Sequence, residues 1–424
     1  MDLFRGIAVA FDDEISSAGS RANEIASYIE GEGIPLLRYE HILKFPDNAF
    51  KSLRSASFIL LDWRYSNKPN VPKDGDDVRG ADDDIPIPVS NGSELQAEDD
   101  RDSAEFLLKL LAHTVCPIFV ITTLTEDRVV DTIKLVIGLE FTLPSRVFIC
   151  HKGDIGTKDQ LKRMLESWLD ENPSMYVFKT WDDAAISARN DLFRELECES
   201  THWPSILWKG YEHEFDGVHS TDGNKSQELV GVLNSMVSNR IYLSCEFDSN
   251  KVIGTPIAAD ARVLRSVLEK ERYLPFSDKN NGAPLAPGDL FLDDGRYYIN
   301  LRAQCDTLRV SDPRAVLIPG DVVCQAQFSQ NDIEYRQGQL IARDFEVVVP
   351  FVDHGKIIKF VLRDVRMKPA NSKYMRKRIG RLLSPFVTRL QQLFAAYIVR
   401  EGLPSVPQDI FSDAELPSSS QISK

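Results

Sequence analysis

The apolar positions of the first 172 residues switch between two periods. Five short continuous runs, GIAVAF (6–11), IPLLRY (34–39), SFILLDW (57–63), PIFVITT (117–123) and RVFIC (146–150), have the length and residue content of buried strands. Segments with helical spacing lie between them. Ala22, Ile25, Ala26 and Ile29 share one face of 18–30, and Gly31 and Gly33 end that helix. Residues 47–56 suit a short helix capped by Asp47, 104–113 a Leu-rich helix, 126–137 another, and 158–169 an amphipathic one. Strands that are apolar throughout, alternating with helices, predict a parallel sheet covered on both faces. Five such units predict a doubly wound, flavodoxin-like α/β domain over 1–172. Its site would lie at the carboxyl ends of the strands.

The rhythm then changes. Residues 173–200 read as a helical connector, 201–405 as an α+β domain, and 406–424 as a flexible Ser/Pro-rich tail. In the α+β part, Gln227 to Val237 has helical spacing. LFLDDGRYYINLRAQC (290–305) carries the Asp-Gly signal of a β-hairpin. GQLIARDFEVVVPFV (338–352) and KIIKFVLRDVRM (356–367) continue the strand character, and Lys373 to Arg400 reads as one long amphipathic helix kinked near Pro385.

A polar insert from Ser66 to about Arg101 interrupts the first domain. Its many aspartates, its prolines and its lack of large apolar residues predict a mobile acidic loop, because ordering it would bury too little. The spacing lacks the alternation and terminal glutamate of a calcium loop. With 424 residues, 43% hydrophobic and 27% charged, the chain has the composition of a soluble globular protein of two or three domains. The net charge of −14 opposes a chain-wide nucleic-acid footprint. Six scattered cysteines (116, 150, 198, 245, 305, 324) form no CxxC pair, which argues against zinc ribbons and disulfide scaffolds. The apolar run near the N-terminus meets two aspartates at once, unlike a secretory signal, and a cytoplasmic location is expected.

The informative residues stand where strands end. The first strand leads into Asp12 and Asp13, the third ends at Asp62, the fourth at Thr122 and Thr123, and the fifth runs into Lys152. In a doubly wound sheet these ends converge. Three carboxylates together call for a hard cation with oxygen ligands, and Mg²⁺ suits that set. A hydroxyl and an ammonium would hold phosphoryl oxygens, leaving Asp62 as a nucleophile that forms an aspartyl phosphate.

In these residues the region 5–172 resembles the receiver domain of bacterial two-component response regulators. The resemblance implies an acidic pair at Asp12 and Asp13, a phosphoacceptor at Asp62, a hydroxyl residue at Thr122 and a lysine at Lys152. It also implies a backbone carbonyl at Arg64 as a further metal ligand. The chain departs from the family pattern in Gly153, where proline usually follows the lysine, and in Ile149, where the family carries an aromatic switch residue. The whole layout resembles the divergent response-receiver proteins of bacterial anti-phage operons of the Detocs type. That resemblance implies a partner histidine kinase, a separate effector response regulator, and a role as a phosphoryl sink.

Other clusters carry less. His202, His213 and His219 are irregularly spaced and read as surface or core histidines. Cys305 reads as a buried thiol within a hairpin strand, and no Gly-rich phosphate loop or second enzymatic centre is visible. The basic residues of 363–400 (Arg363, Arg366, Lys368, Lys373, Arg376, Lys377, Arg378, Arg381, Arg389), with Tyr374, Phe386 and Tyr397 among them, read first as a solvated helix face. The alternative function is a regulator whose C-terminal half binds nucleic acid or an effector. A third reading docks the basic helix on the acidic insert. Nucleic acid is not an expected partner, and neither is a membrane.

Overall fold

The computed structural model describes residues 2–63, 92–138, 140–214, 222–253, 260–277, 283–308, 313–329, 333–336, 339–342 and 345–400. It divides into two compact units, 1–201 with 233–257 and 202–232 with 258–424.

The first unit follows the predicted alternation: β1 (Ile7–Phe11), α1 (Arg21–Gly31), β2 (Leu36–Tyr39), β3 (Ala56–Asp62), α2 (Gly92–His113), β4 (Ile118–Thr122), α3 (Glu126–Ile137), β5 (Val147–His151), α4 (Lys158–Asp170) and α5 (Pro173–Glu199). The sheet order is β2-β1-β3-β4-β5 and every pairing is parallel. Strand alternation sends Ala8, Ala10, Phe58, Leu60, Phe119 and Ile121 to one face, against α1, α4 and the start of α5. Val9, Phe11, Ile59, Leu61, Ile118 and Val120 face the other way, onto α2 and α3. Burial on both faces is the reason these strands read as unbroken apolar runs.

Two local expectations need correction. The expected short helix over 47–56 is the 3₁₀ helix Asp47–Ser55, but its cap differs. Pro46 holds its cap position, and Asp47 instead accepts from Lys109 at 3.0 Å. Helix α2 starts at Gly92, twelve residues before the expected Ala104, so the end of the acidic insert is helical. Glu94, Gln96, Ala97 and Glu98 are good helix formers, and acids suit the positive end of the helix dipole. The rest of the insert, 66–91, lies outside the described residues.

The helices α6 (Trp203–Glu214), α7 (Asp222–Ser244), α8 (Ser249–Ile253) and α9 (Ala261–Arg272) follow. Helix α7 extends the expected 227–237 segment at both ends. Next come β6 (Tyr273–Pro275), β7 (Asp289–Asp293), β8 (Arg296–Asn300), α10 (Gln304–Leu308), β9 (Arg314–Val322), α11 (Gln325–Ser329), β10 (Glu334–Arg336), β11 (Gln339–Ile341), β12 (Glu346–Val352), β13 (Lys356–Val361), β14 (Arg366–Pro369), α12 (Ser372–Met375), β15 (Arg378–Leu382) and α13 (Phe386–Ile398). An antiparallel sheet runs β12-β13-β9-β8-β7-β15-β6, with β14 also on β9. The predicted hairpin is β7–β8. Asp294 and Gly295 supply two consecutive positive φ values, 50° and 76°, as a tight two-residue turn demands.

The expected helix over 373–400 is instead a helical turn, a strand and a separate helix. Strand β15 pairs with β6 and β7, and its Arg378 is buried against Asp289, a burial no solvated helix face would allow. Cys305 sits in α10, half-buried, not in a hairpin strand. His202 is exposed, and the side chains of His213 and His219 lie outside the described residues. Among the described residues, no helix is long and apolar enough to cross a membrane.

Candidate functional site

The parallel register sets the site. Strands β1, β3, β4 and β5 run the same way, so residues at or just past their ends gather along one edge. Asp12 follows β1 and its N–H donates to the Tyr39 carbonyl at 3.0 Å, which fixes the backbone where the chain leaves the sheet. Asp62 is the last residue of β3 and lies opposite Ile121 in the register. Asp12 and Asp62 are 7% and 6% exposed, and Asp13 is half-buried.

Lys152, just past β5, joins them. Its Nζ donates to Asp12 Oδ2 at 3.0 Å and to Asp62 Oδ2 at 2.7 Å. Burial pushes this ammonium down, but the charges of Asp62 and Asp12 and their hydrogen bonds outweigh it, and Lys152 stands above the ordinary lysine range. The other Asp12 oxygen, Oδ1, accepts from Glu14 N–H at 2.9 Å. Beside this cluster, Ala10, Ile15, Ala22 and Ile25 contribute apolar walls to a pocket that Asp12, Asp62 and Lys152 also line.

Carboxylate oxygens of Asp12, Asp13 and Asp62 lie within 4.8 Å of one another, the one group among the described residues with such metal-ligand spacing. Each like-charged pair at that range costs about 3 kcal/mol at an effective dielectric near 20. Among the described residues, the Lys152 ammonium pairs with Asp12 and Asp62 of this set. The donor set is all oxygen and partly buried, which fits a hard divalent cation. Such an ion, bound there, would offset the carboxylates' mutual repulsion.

The structure thus brings together Asp12, Asp13, Asp62 and Lys152. Thr122 closes β4 one residue past the partner of Asp62. It is fully buried, and its hydroxyl oxygen accepts from Leu124 N–H at 3.1 Å. Arg64, expected to offer a backbone carbonyl, lies outside the described residues. Ile149 is buried in the core facing α2 and α3. The sequence reading overlooked His151, whose ring bonds to the backbone on both sides of this edge. Its one available signal was its position between β5 and Lys152.

No family model and no curated protein matches the chain. A solved structure described as a yeast Spc42 trimeric coiled coil (amino acids 181–211) fused to another structure aligns with 46% of this chain and 95% of its own, at 16% identity and a TM-score of 0.24. A likeness that low carries no argument. The sheet order and the acidic cluster are what the chain itself offers, and they resemble a receiver fold.

Proposed function

We propose that this chain is a phosphoryl-accepting receiver protein of a two-component system, phosphorylated on Asp62 by a partner histidine kinase. The observation that carries the reading is the Lys152 ammonium bridging Asp62 and Asp12 beside Asp13, at the carboxyl ends of a β2-β1-β3-β4-β5 parallel sheet. In the reaction an Asp62 oxygen attacks the phosphorus of a phosphohistidine. The new O–P bond forms as the N–P bond breaks, and the leaving imidazole nitrogen keeps the electron pair and takes a proton. Lys152 exchanges a carboxylate for the new phosphoryl oxygens, and Thr122 offers them a hydroxyl. Mg²⁺ held by Asp12, Asp13 and Asp62 would offset the charge brought in.

The role we infer is a sink that drains phosphoryl groups from a kinase and away from a separate effector regulator, in an anti-phage system. Ile149 supports it: a buried aliphatic side chain stands where an aromatic switch would report phosphorylation.

Incubation with a small phosphodonor and Mg²⁺ should add one phosphate by intact mass. Asp62→Ala should add none, and excess chelator should abolish labelling. An Asp62→Ala protein that gains the same mass sinks the assignment. In cells carrying kinase and effector, Asp62→Ala should slow growth. A harmless variant that only loses the response would replace the sink by an activator.

A further inference from the structure

His151 lies on the surface, yet both of its ring nitrogens are engaged. Nδ1 is 3.0 Å from the Gly153 N–H and Nε2 is 3.2 Å from the Thr123 carbonyl oxygen. An amide N–H can only donate and a carbonyl can only accept. These partners therefore assign a neutral ring, with the proton on Nε2 and a lone pair on Nδ1.

Gly153 makes this possible twice over. It supplies the N–H, which proline would lack. A Cβ at 153 would also stand 2.9 Å from Nδ1, closer than side-chain carbons approach. The ring spans the site's rim. Thr123 directly follows Thr122 at the end of β4, and Gly153 directly follows Lys152 at the end of β5. Two bonds to one ring thus tie the backbone next to the hydroxyl residue to the backbone next to the ammonium.

We propose that His151 is a positioning residue for the acceptor site. By clasping Thr123 and Gly153 it holds the exits of β4 and β5 together, and so keeps Lys152 Nζ on Asp62 and Asp12. This rests on the reading of Asp62 as the phosphoryl acceptor.

The test is carried out on the full chain. Initial rates of Asp62 labelling by acetyl phosphate with Mg²⁺ are compared among wild type, His151→Ala, His151→Gln and Gly153→Pro. His151→Ala and Gly153→Pro should slow labelling about 3- to 10-fold, the range of one or two partly solvated hydrogen bonds. Their thermal midpoints should stay near that of the wild type. His151→Gln keeps a donor for Thr123 and an oxygen acceptor, and should recover at least half of the loss. A His151→Ala rate equal to wild type, or a Gln variant as slow as Ala, overturns the clasp. A wild type that takes no label refutes the acceptor reading instead. Long-range ¹H–¹⁵N spectra then test the clasp without any phosphorylation. The Nε2–H tautomer of His151 supports it, and the Nδ1–H tautomer or a freely averaging ring overturns it.

Discussion

Each unit buries an aspartate against a cationic side chain, and the two sites end differently. Asp289, the first residue of β7, is fully buried. Its Oδ2 accepts from Arg378 Nη1 at 2.9 Å and from Ala286 N–H at 3.0 Å, and its Oδ1 from Arg381 Nε at 2.6 Å. Further guanidinium protons go to the carbonyls of Ala283 and Pro284, and both guanidiniums lie over the Phe276 ring. Among the described residues, one carboxylate here faces two cations. At Asp62, again among the described residues, three carboxylates face one ammonium at the edge of a sheet beside a pocket. Burial and a cationic partner are common to both. Among the described groups, the direction of the charge balance separates a knot that joins β7 to β15 from a site that could hold a cation.

The sharpest way to break this contrast is to remove one aspartate at a time. Asp289→Ala takes a buried carboxylate away from Arg378 and Arg381, and should cost about 3–5 kcal/mol by urea denaturation of the full chain. Asp13→Asn removes one of three repelling charges. Without added cation it should leave stability unchanged or raise it by up to about 1 kcal/mol. Equal losses from the two variants would mean that both sites are structural knots.

Added Mg²⁺ should act on one unit alone. At a hundredfold excess over its dissociation constant it should stabilise the first unit by about 2.7 kcal/mol. Asp13→Asn should forfeit most of that gain, and Asp289 variants should keep it. A shift that survives Asp13→Asn would place the cation elsewhere.

The two sites also differ in how far the sequence revealed them. Asp12, Asp13, Asp62 and Lys152 were legible because each stands at the end of an apolar run, and a parallel sheet brings such ends together whatever lies between. The Asp289 knot was not. Its partners are 89 and 92 residues away, and only antiparallel pairing of β15 with β7 joins them. Lys373 to Arg400 has helical composition, which hid the period-two burial of Arg378, Gly380 and Leu382. Gly380 was the overlooked signal, since glycine disfavours a helix interior. A Cβ there would lie 2.4 Å from the Tyr273 ring, so Gly380→Ala should cost about 1–3 kcal/mol through overpacking. A neutral Gly380→Ala would show that β15 and β6 pack less closely. Helix α2 was read short for a related reason: polar residues without an apolar stripe give no periodic signal, although their propensity favours a helix.

The smallest expected effect concerns the thiols, of which Cys150 lies nearest in sequence to Lys152. Cys150 lies on β5, two residues before Lys152, with its Sγ 3.7 Å from the Val120 carbonyl. Burial pushes its thiol up to about 12, and burial also raises Cys116. Cys198 and Cys324 are exposed. At pH 8 iodoacetamide should therefore modify Cys198 and Cys324 first, and reach Cys116 and Cys150 only as the first unit unfolds. The same displacement sets an alkaline limit. Unfolded, Cys150 releases its proton near pH 8.5, whereas folded it holds the proton to about 12. Between those values the unfolded chain binds fewer protons, so stability falls as pH rises; below about 8.5 this group contributes no slope. The Lys152 pairing does not confound the window's lower part, because its raised value keeps the ammonium charged beyond the ordinary lysine range. Between pH 8.5 and 9.5 Cys150 should by itself cost the first unit on the order of 1 kcal/mol, and Cys150→Ala should remove that share of the slope, leaving the share of Cys116, even if it lowers stability at neutral pH. An unchanged slope in Cys150→Ala would assign the alkaline loss to other groups.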